Sequence, residues 1–299
     1  MAVVVLLAGG TGGAKLARGM LDELGSDLTV IANTGDDIEI YGAHVCPDPD
    51  LVTFWLADAI DSRGWGLDGD TFVAMEQLRA LGDAVWFNLG DRDLAIGLYR
   101  AQRLADGASL TAVLDDVRRA FGVPARVLPP TDDEVRTYVR ARGEWRAFQD
   151  FMIRLRGRGP IDDVEFRGAA TARPCEEAVE ALRSASAIVI GPSNPVLSID
   201  PVLAVLGDEI RSADAPVVAV SPLVRGQVLK GPTAACLEWA GRSVDSDGIA
   251  AHYEGLIDGL VADRRASDVP TLETGVELGD PDSRRRVARA VLEFATALG

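Results

Sequence analysis

The chain has 299 residues, 47% of them apolar, enough for a sizeable core in one large or two smaller α/β units. Its net charge is −16, with 31 Asp against 15 Glu, which argues against a basic nucleic-acid face and suits a very soluble protein. No apolar run of about 18 residues is present, so no membrane span is expected, and three scattered cysteines without C-x-x-C spacing, Cys46, Cys175 and Cys236, predict a reducing cytoplasm, with no disulfide framework or zinc site.

The opening run 2–8, AVVVLLA, is continuously apolar, as in a strand buried on both faces. It lacks a basic lead and a cleavage site, so it reads as a strand and not a signal peptide. Five glycines follow within residues 9–19, and helical periodicity runs from 13 to Gly25. A second buried strand over 28–37 completes a β–loop–α–β opening, the start of a parallel sheet. Four helices are predicted next, over 50–64, 71–82, 93–107 and 109–122, then short strands and a helix within 125–157. Apolar runs ending in turn residues resume at 186–195 and 215–223, with a crossover helix over 198–214 between them. A helix over 280–298 ends the chain. The expected architecture is a single Rossmann-like α/β domain over 1–299. Its open, mostly parallel sheet carries helices on both faces, and a mainly helical insertion at about 50–160 lies over the sheet's carboxyl edge.

The glycine stretch fits neither of two phosphate-binding patterns. A dinucleotide fingerprint begun at Gly10 and Gly12 needs glycine where Lys15 stands, and a P-loop needs Ser or Thr where Leu16 stands. Glycines before a helix N-terminus still let backbone N–H groups approach an anion, so a phosphate site and a plain tight turn both remain open. Lys15 and Lys230 are the only lysines, and both lie in glycine-flanked stretches, which favours a compact ammonium fitted close to a phosphate.

Carboxylates gather after strand ends, where ligands bind in an open parallel sheet. In NTGDD, 33–37, the adjacent Asp36 and Asp37 suit a hard cation, with an acidic turn as the alternative. In CPDPD, 46–50, an extended segment would turn Asp48 and Asp50 to opposite sides, one toward a metal and the other toward a substrate hydroxyl. In NLGDRDLA, 88–95, Asp91 or Asp93 can cap the following helix, with Arg92 ion-paired between them. Ser193 and Asn194 in GPSNPV, 191–196, offer polar groups to a phosphate or base, and Lys230 can reach the same anion. His44 lies near the acids but reads as a bystander. No Ser–His–Asp or Cys–His arrangement follows from spacing. The set points to phosphoryl chemistry, which needs positioning and charge neutralisation more than covalent catalysis.

Taken in order, LAGGTGGAKL, NTGDD, CPDPD, LGDRDLA, GPSNPVLSIDP and VSPLVRGQVLKGP resemble the 2-phospho-L-lactate transferases of coenzyme F-420 biosynthesis over essentially the whole chain. The resemblance implies an Mg2+-dependent transfer from lactyl- or enolpyruvyl-diphosphoguanosine to the terminal ribityl hydroxyl of the deazaflavin Fo. GMP leaves, and F-420-0 or its dehydro form results. It implies that Asp50 and Arg92 hold Fo and that Asp36 and Asp48 bind the metal, with Asp37 beside them. Gly10, Thr11, Gly12, Gly13, Lys15, Asn33, Ser193 and Asn194 would line the nucleotide side, with Asp50 and Asp36 the catalytic pair. A homodimer is implied as well. Pro49 replaces the apolar residue frequent in the family's P-D-L-D, and His44 has no fixed family counterpart.

Two other readings compete. A non-enzymatic nucleotide-sugar-binding regulator of related fold would leave CPDPD and GDRD unexplained as a pair. A nicotinamide dehydrogenase is disfavoured by the absent third glycine and the paired carboxylates.

Overall fold

The computed structural model describes residues 3–299. In chain order the first elements are β1 (Val3–Ala8), α1 (Gly10–Leu24), β2 (Leu28–Ala32), β3 (Ile38–Ile40), β4 (Ala43–Val45) and α2 (Pro47–Leu56). There follow α3 (Val73–Ala80), α4 (Asp91–Ala105), α5 (Leu110–Ala120), β5 (Arg126–Leu128), β6 (Arg136–Ala141), β7 (Glu144–Ala147) and β8 (Ile161–Arg167). The last third holds α6 (Glu176–Arg183), β9 (Ala185–Ile190), α7 (Asp200–Arg211), β10 (Val217–Val220), and a two-residue hairpin of β11 (Leu223–Val224) and β12 (Gln227–Val228). It closes with α8 (Thr233–Trp239), α9 (Ser246–His252), β13 (Gly259–Ala262), β14 (Thr271–Glu273) and α10 (Pro281–Leu298). The strand expected from residue 2 is seen from Val3; residue 2 lies outside the described residues.

Seven strands form one open sheet in the order β14-β13-β10-β9-β1-β2-β5, and every pair is parallel. The apolar runs follow from this, since both sheet faces are covered. Val4, Leu6 and Ala8 of β1 pack beneath α1, α2 and α10, while Val5 and Leu7 face α6, α7, α8 and α9. The strand order reverses between β1 and β9, which opens a crevice at the carboxyl ends of the central strands.

The expected helices are present with shifted ends. The helix expected over 50–64 is α2, which starts at Pro47 and stops at Leu56 because the chain turns back to bridge Ile60 with Leu67. The expected insertion at about 50–160 is interrupted: β5 joins the main sheet beside β2, and β7-β6-β8 form a separate antiparallel sheet. The alternating burial of β6, one side in and one side out, is the strand signature there.

The glycine run is not a loop, since Gly10–Gly13 form the first turn of α1. Close packing is one reason for the glycines. A methyl on Gly12 would lie 2.0 Å from the Pro192 carbonyl oxygen, and one on Gly13 2.8 Å from both Ala8 Cβ and Ser193 Oγ. Gly12→Ala is therefore expected to destabilise the fold by about 1–3 kcal/mol despite alanine's better helix propensity. Urea unfolding checks this, and an unchanged midpoint would mean that the 191–194 loop yields freely.

Candidate active site

The crevice brings three strand ends together. Beyond β1, the Gly10 N–H donates to Asp48 Oδ1 at 2.6 Å, and the Gly9 N–H donates to Ser193 Oγ at 3.1 Å. Beyond β2, Asn33 Nδ2 donates to Asp48 Oδ2 at 3.0 Å, while Asn33 Oδ1 accepts the Gly35 N–H at 2.8 Å. The positive end of α1 thus already faces an anion, and that anion is the chain's own Asp48. Both ends of the Asn33 amide are thus engaged, its nitrogen by Asp48 and its oxygen by the loop backbone. Asn194 is also engaged, accepting the Val196 and Leu197 N–H groups with Oδ1, and its Nδ2 faces Cys236 Sγ.

Asp48 and Asp50 do diverge, though by helical and not extended geometry. Both lie in the first turn of α2, begun by Pro47, where two residues turn the helix by roughly 200°. Asp48 points to Gly10 and Asn33, whereas Asp50 Oδ1 is 2.5 Å from Arg100 Nη2. Arg100 is fully buried on α4, and its Nη1 donates to the His44 carbonyl at 2.8 Å. No motif in the sequence singles Arg100 out.

Among the described residues the acids beside Asp48 have no lysine or arginine within ion-pair distance, although the charges of Arg136 and Arg100 reach Asp37. Asp36 and Asp37 are buried, and each leaves its Oδ1 without a hydrogen-bond partner. Burial, then the charge of Asp48, holds the Asp36 carboxyl well above the usual carboxylate range. Burial likewise pushes Asp48 up to about 6, against the opposing pull of the Gly10 N–H and the Asn33 amide. Two buried carboxylates held by amides, with an orphaned oxygen between charges of one sign, fit a hard divalent cation.

A second imbalance has the opposite sign. Lys15 Nζ is 5.6 Å from the Trp55 ring centroid, Arg284 is 5.2 Å from the same ring, and Lys230 Nζ is 5.4 Å from Trp65. Burial, then Lys230 and Arg284, lowers the Lys15 pKa. Among the described residues none of the three forms an ion pair. Lys230 is near enough for its charge to act on Lys15, although the two face different tryptophans. Arg284, from α10, is hidden in an arginine-rich helix. Thr11 Oγ1, one turn from Lys15, is buried and unpartnered.

The GDRD segment behaves differently from its expected ion pair. Asp91 Oδ2 and Oδ1 accept the N–H groups of Val73 and Ala74 at the start of α3, and Asp70 accepts those of Arg92 and Asp93 at the start of α4. The two helix starts are therefore capped reciprocally. Arg92 is exposed and donates to the Asp68 carbonyl at 2.8 Å, not to the neighbouring acids. Asp93 is turned inward, where burial and the charges of Asp50 and Asp70 push it up to about 7. Trp65 stands nearby with 57% of its surface exposed. His44 is no isolated bystander, since Nε2 lies 3.3 Å from Asp37 Oδ2.

The chain is similar to known proteins over nearly its whole length. The family model described as 2-phospho-L-lactate transferase CofD matches residues 4–289. The 2-phospho-L-lactate transferase of Methanocaldococcus jannaschii is 35% identical, with 99% of each chain covered. The phosphoenolpyruvate transferase of Thermobifida fusca is 37% identical over 99% of this chain and 98% of that one, and that of Streptomyces coelicolor 38% over 98% of each. A solved structure of a UPF0052 family protein from Bacillus halodurans shares the fold, with a TM-score of 0.62 at 17% identity over 98% of this chain and 100% of that one. No helix among the described residues is long and apolar enough to cross a membrane. Matched from end to end by transferases, the chain belongs to the 2-phospho-L-lactate transferase CofD family.

Proposed function

We propose that this transferase moves a 2-phospholactyl or phosphoenolpyruvyl group from a guanosine-diphosphate-linked acid to the terminal ribityl hydroxyl of Fo. The carrying observation is the buried acid pair Asp36 and Asp48 at the Gly10 end of α1, with unpaired Lys15 further along the same helix and Lys230 and Arg284 close enough to lower its pKa. A diphosphate with Mg2+ would neutralise the acids and the cations alike. Asp36 and Asp48 would hold the Mg2+, which when bound supplies charge neutralisation at the transferring phosphorus. Lys15, Lys230 and the N–H groups and hydroxyl of 11–13 would take the diphosphate, whose guanosine side borders Ser193 and Asn194.

The exposed ring of Trp65 and the Arg92 guanidinium offer a stacking face and a donor for the deazaflavin. Asp50, pinned by Arg100, orients the hydroxyl. Asp93, raised to about 7, would receive the proton. The ribityl oxygen forms a new bond to the acid-bearing phosphorus while the bridging P–O bond breaks. The electron pair leaves with GMP, and the hydroxyl proton passes to Asp93. Three free cysteines, all buried, support a reducing, cytoplasmic setting, and the family resemblance supports a homodimer.

The test incubates the protein with Fo, Mg2+ and each synthetic donor and follows products by mass spectrometry. The expected result is a phosphodiester of Fo with stoichiometric GMP, formed from one donor in preference to the others. Folded protein that yields no such product with any donor, yet binds a nucleotide-sugar, would overturn the assignment.

A further inference from the structure

We propose a second metal site, of the zinc class, formed by Asp37, His44 and Cys46 and distinct from the Asp36–Asp48 pair. It does not rest on the substrates proposed above. Hairpin register builds it: Ile38 pairs with Val45 and Glu39 with His44, so continuing the ladder outward sets Asp37 beside Cys46. His44 and Cys46 lie two residues apart and project to the same side. Asp37 Oδ2 is 2.9 Å from Cys46 Sγ and 3.3 Å from His44 Nε2, and the three donor atoms all lie within 4.8 Å of one another.

The second observation is a carboxylate anchored on the far side of the imidazole. His44 Nδ1 lies 3.1 Å from Glu39 Oε1, and Glu39 is anchored 2.6 Å from Arg136 Nη2. With Nδ1–H donated to Glu39, Nε2 can turn its lone pair to an ion held beside Asp37, which gives the carboxylate–histidine–metal arrangement that orients metal-bound imidazoles. Asp37 also keeps Oδ1 buried and without a partner, and its side chain is 0% exposed. Donors around a tetrahedral zinc lie roughly 3.3–3.8 Å apart, so an ion would move the sulfur a few tenths of an ångström away from Asp37 Oδ2. One sulfur, one imidazole nitrogen and one carboxylate oxygen select a borderline metal over Mg2+. The nearby Arg100 charge is met by Asp50 and does not oppose the ion. Cysteine spacing could not announce this site, because only one donor is a cysteine.

Such an ion would tie the β3–β4 hairpin to the start of α2, the turn that aims Asp48 and Asp50. The test titrates the metal-stripped full-length protein with Co2+. Expected is one equivalent bound with a thiolate-to-cobalt charge-transfer band, displaced by Zn2+ and untouched by excess Mg2+. Cys46→Ser should abolish the band, and Glu39→Gln, at an exposed position that will not unfold the chain, should raise the Co2+ dissociation constant about 10–100-fold. A folded wild type without the band, a band that survives Cys46→Ser, or an affinity unchanged in Glu39→Gln would each overturn the site.

Discussion

Arg100→Met is expected to lower the unfolding free energy by about 3–5 kcal/mol at neutral pH, the usual cost of removing one partner of a buried ion pair. The side chain is fully buried, lies 2.5 Å from Asp50 and supplies the donor to the His44 carbonyl, so one substitution strands a carboxylate and a backbone oxygen. Asp50 would then sit buried near Asp37 and Asp93 with no cation. Burial already holds its pKa above the ordinary value with Arg100 in place, and loss of the guanidinium raises it further. The sign follows. A carboxyl whose folded pKa exceeds its unfolded value stabilises the fold when protonated, so the loss is largest above the raised pKa and shrinks as pH falls through it. Urea denaturation at several pH values reads this directly. The double variant Arg100→Met, Asp50→Leu should regain much of the stability and none of the transferase activity. A single variant as stable as wild type at all pH values would show that Asp50 does not depend on Arg100.

Arg100 also shows where a sequence stops speaking. On an amphipathic helix an arginine reads as solvent-facing, and only the α2 turn, 50 residues away in sequence, makes it a core residue. The sheet's centre is legible because β1, β2, β9 and β10 are apolar on both faces and end in turn residues. Its edge is not, since β13 and β14 have only four and three residues and carry no period to read. Asp48 and Asp50 diverge as expected, for a different reason: alternation along a strand and two steps along a helix both point side chains to opposite sides. The glycines carry two messages at once, close packing against Pro192 and Ser193 and an anion-facing helix end, and spacing alone cannot separate them. Asp93 reads as a cap because capping acids precede helices, whereas Asp70 does that work from another segment.

Asp36→Asn is expected to make the metal-free protein more stable while reducing turnover by about 100-fold or more. This substitution suits the site better than one at Asp48, whose two oxygens both accept hydrogen bonds and would leave an amide nitrogen facing the Asn33 donor. Asp36 leaves Oδ1 unpartnered, so the amide that Asp36→Asn introduces can turn its N–H toward Asp48. The metal-free wild type carries the opposite burden. Both acids have folded pKa values above their unfolded 3.8, Asp48 at about 6, so their protonated forms stabilise the fold below that unfolded value. That stability is lost as pH rises through about 6 and beyond. If Mg2+ takes the ionised pair as proposed, the thermal shift it produces should be small at pH 5 and grow across the same window. At 100 times its dissociation constant the ion adds about 2.7 kcal/mol, a rise of several degrees for a domain of this size. In Asp36→Asn both the pH slope and the Mg2+ shift should flatten. Calorimetric scans with and without Mg2+ decide it: a shift that persists in the variant would place the catalytic cation elsewhere, whatever the activity does.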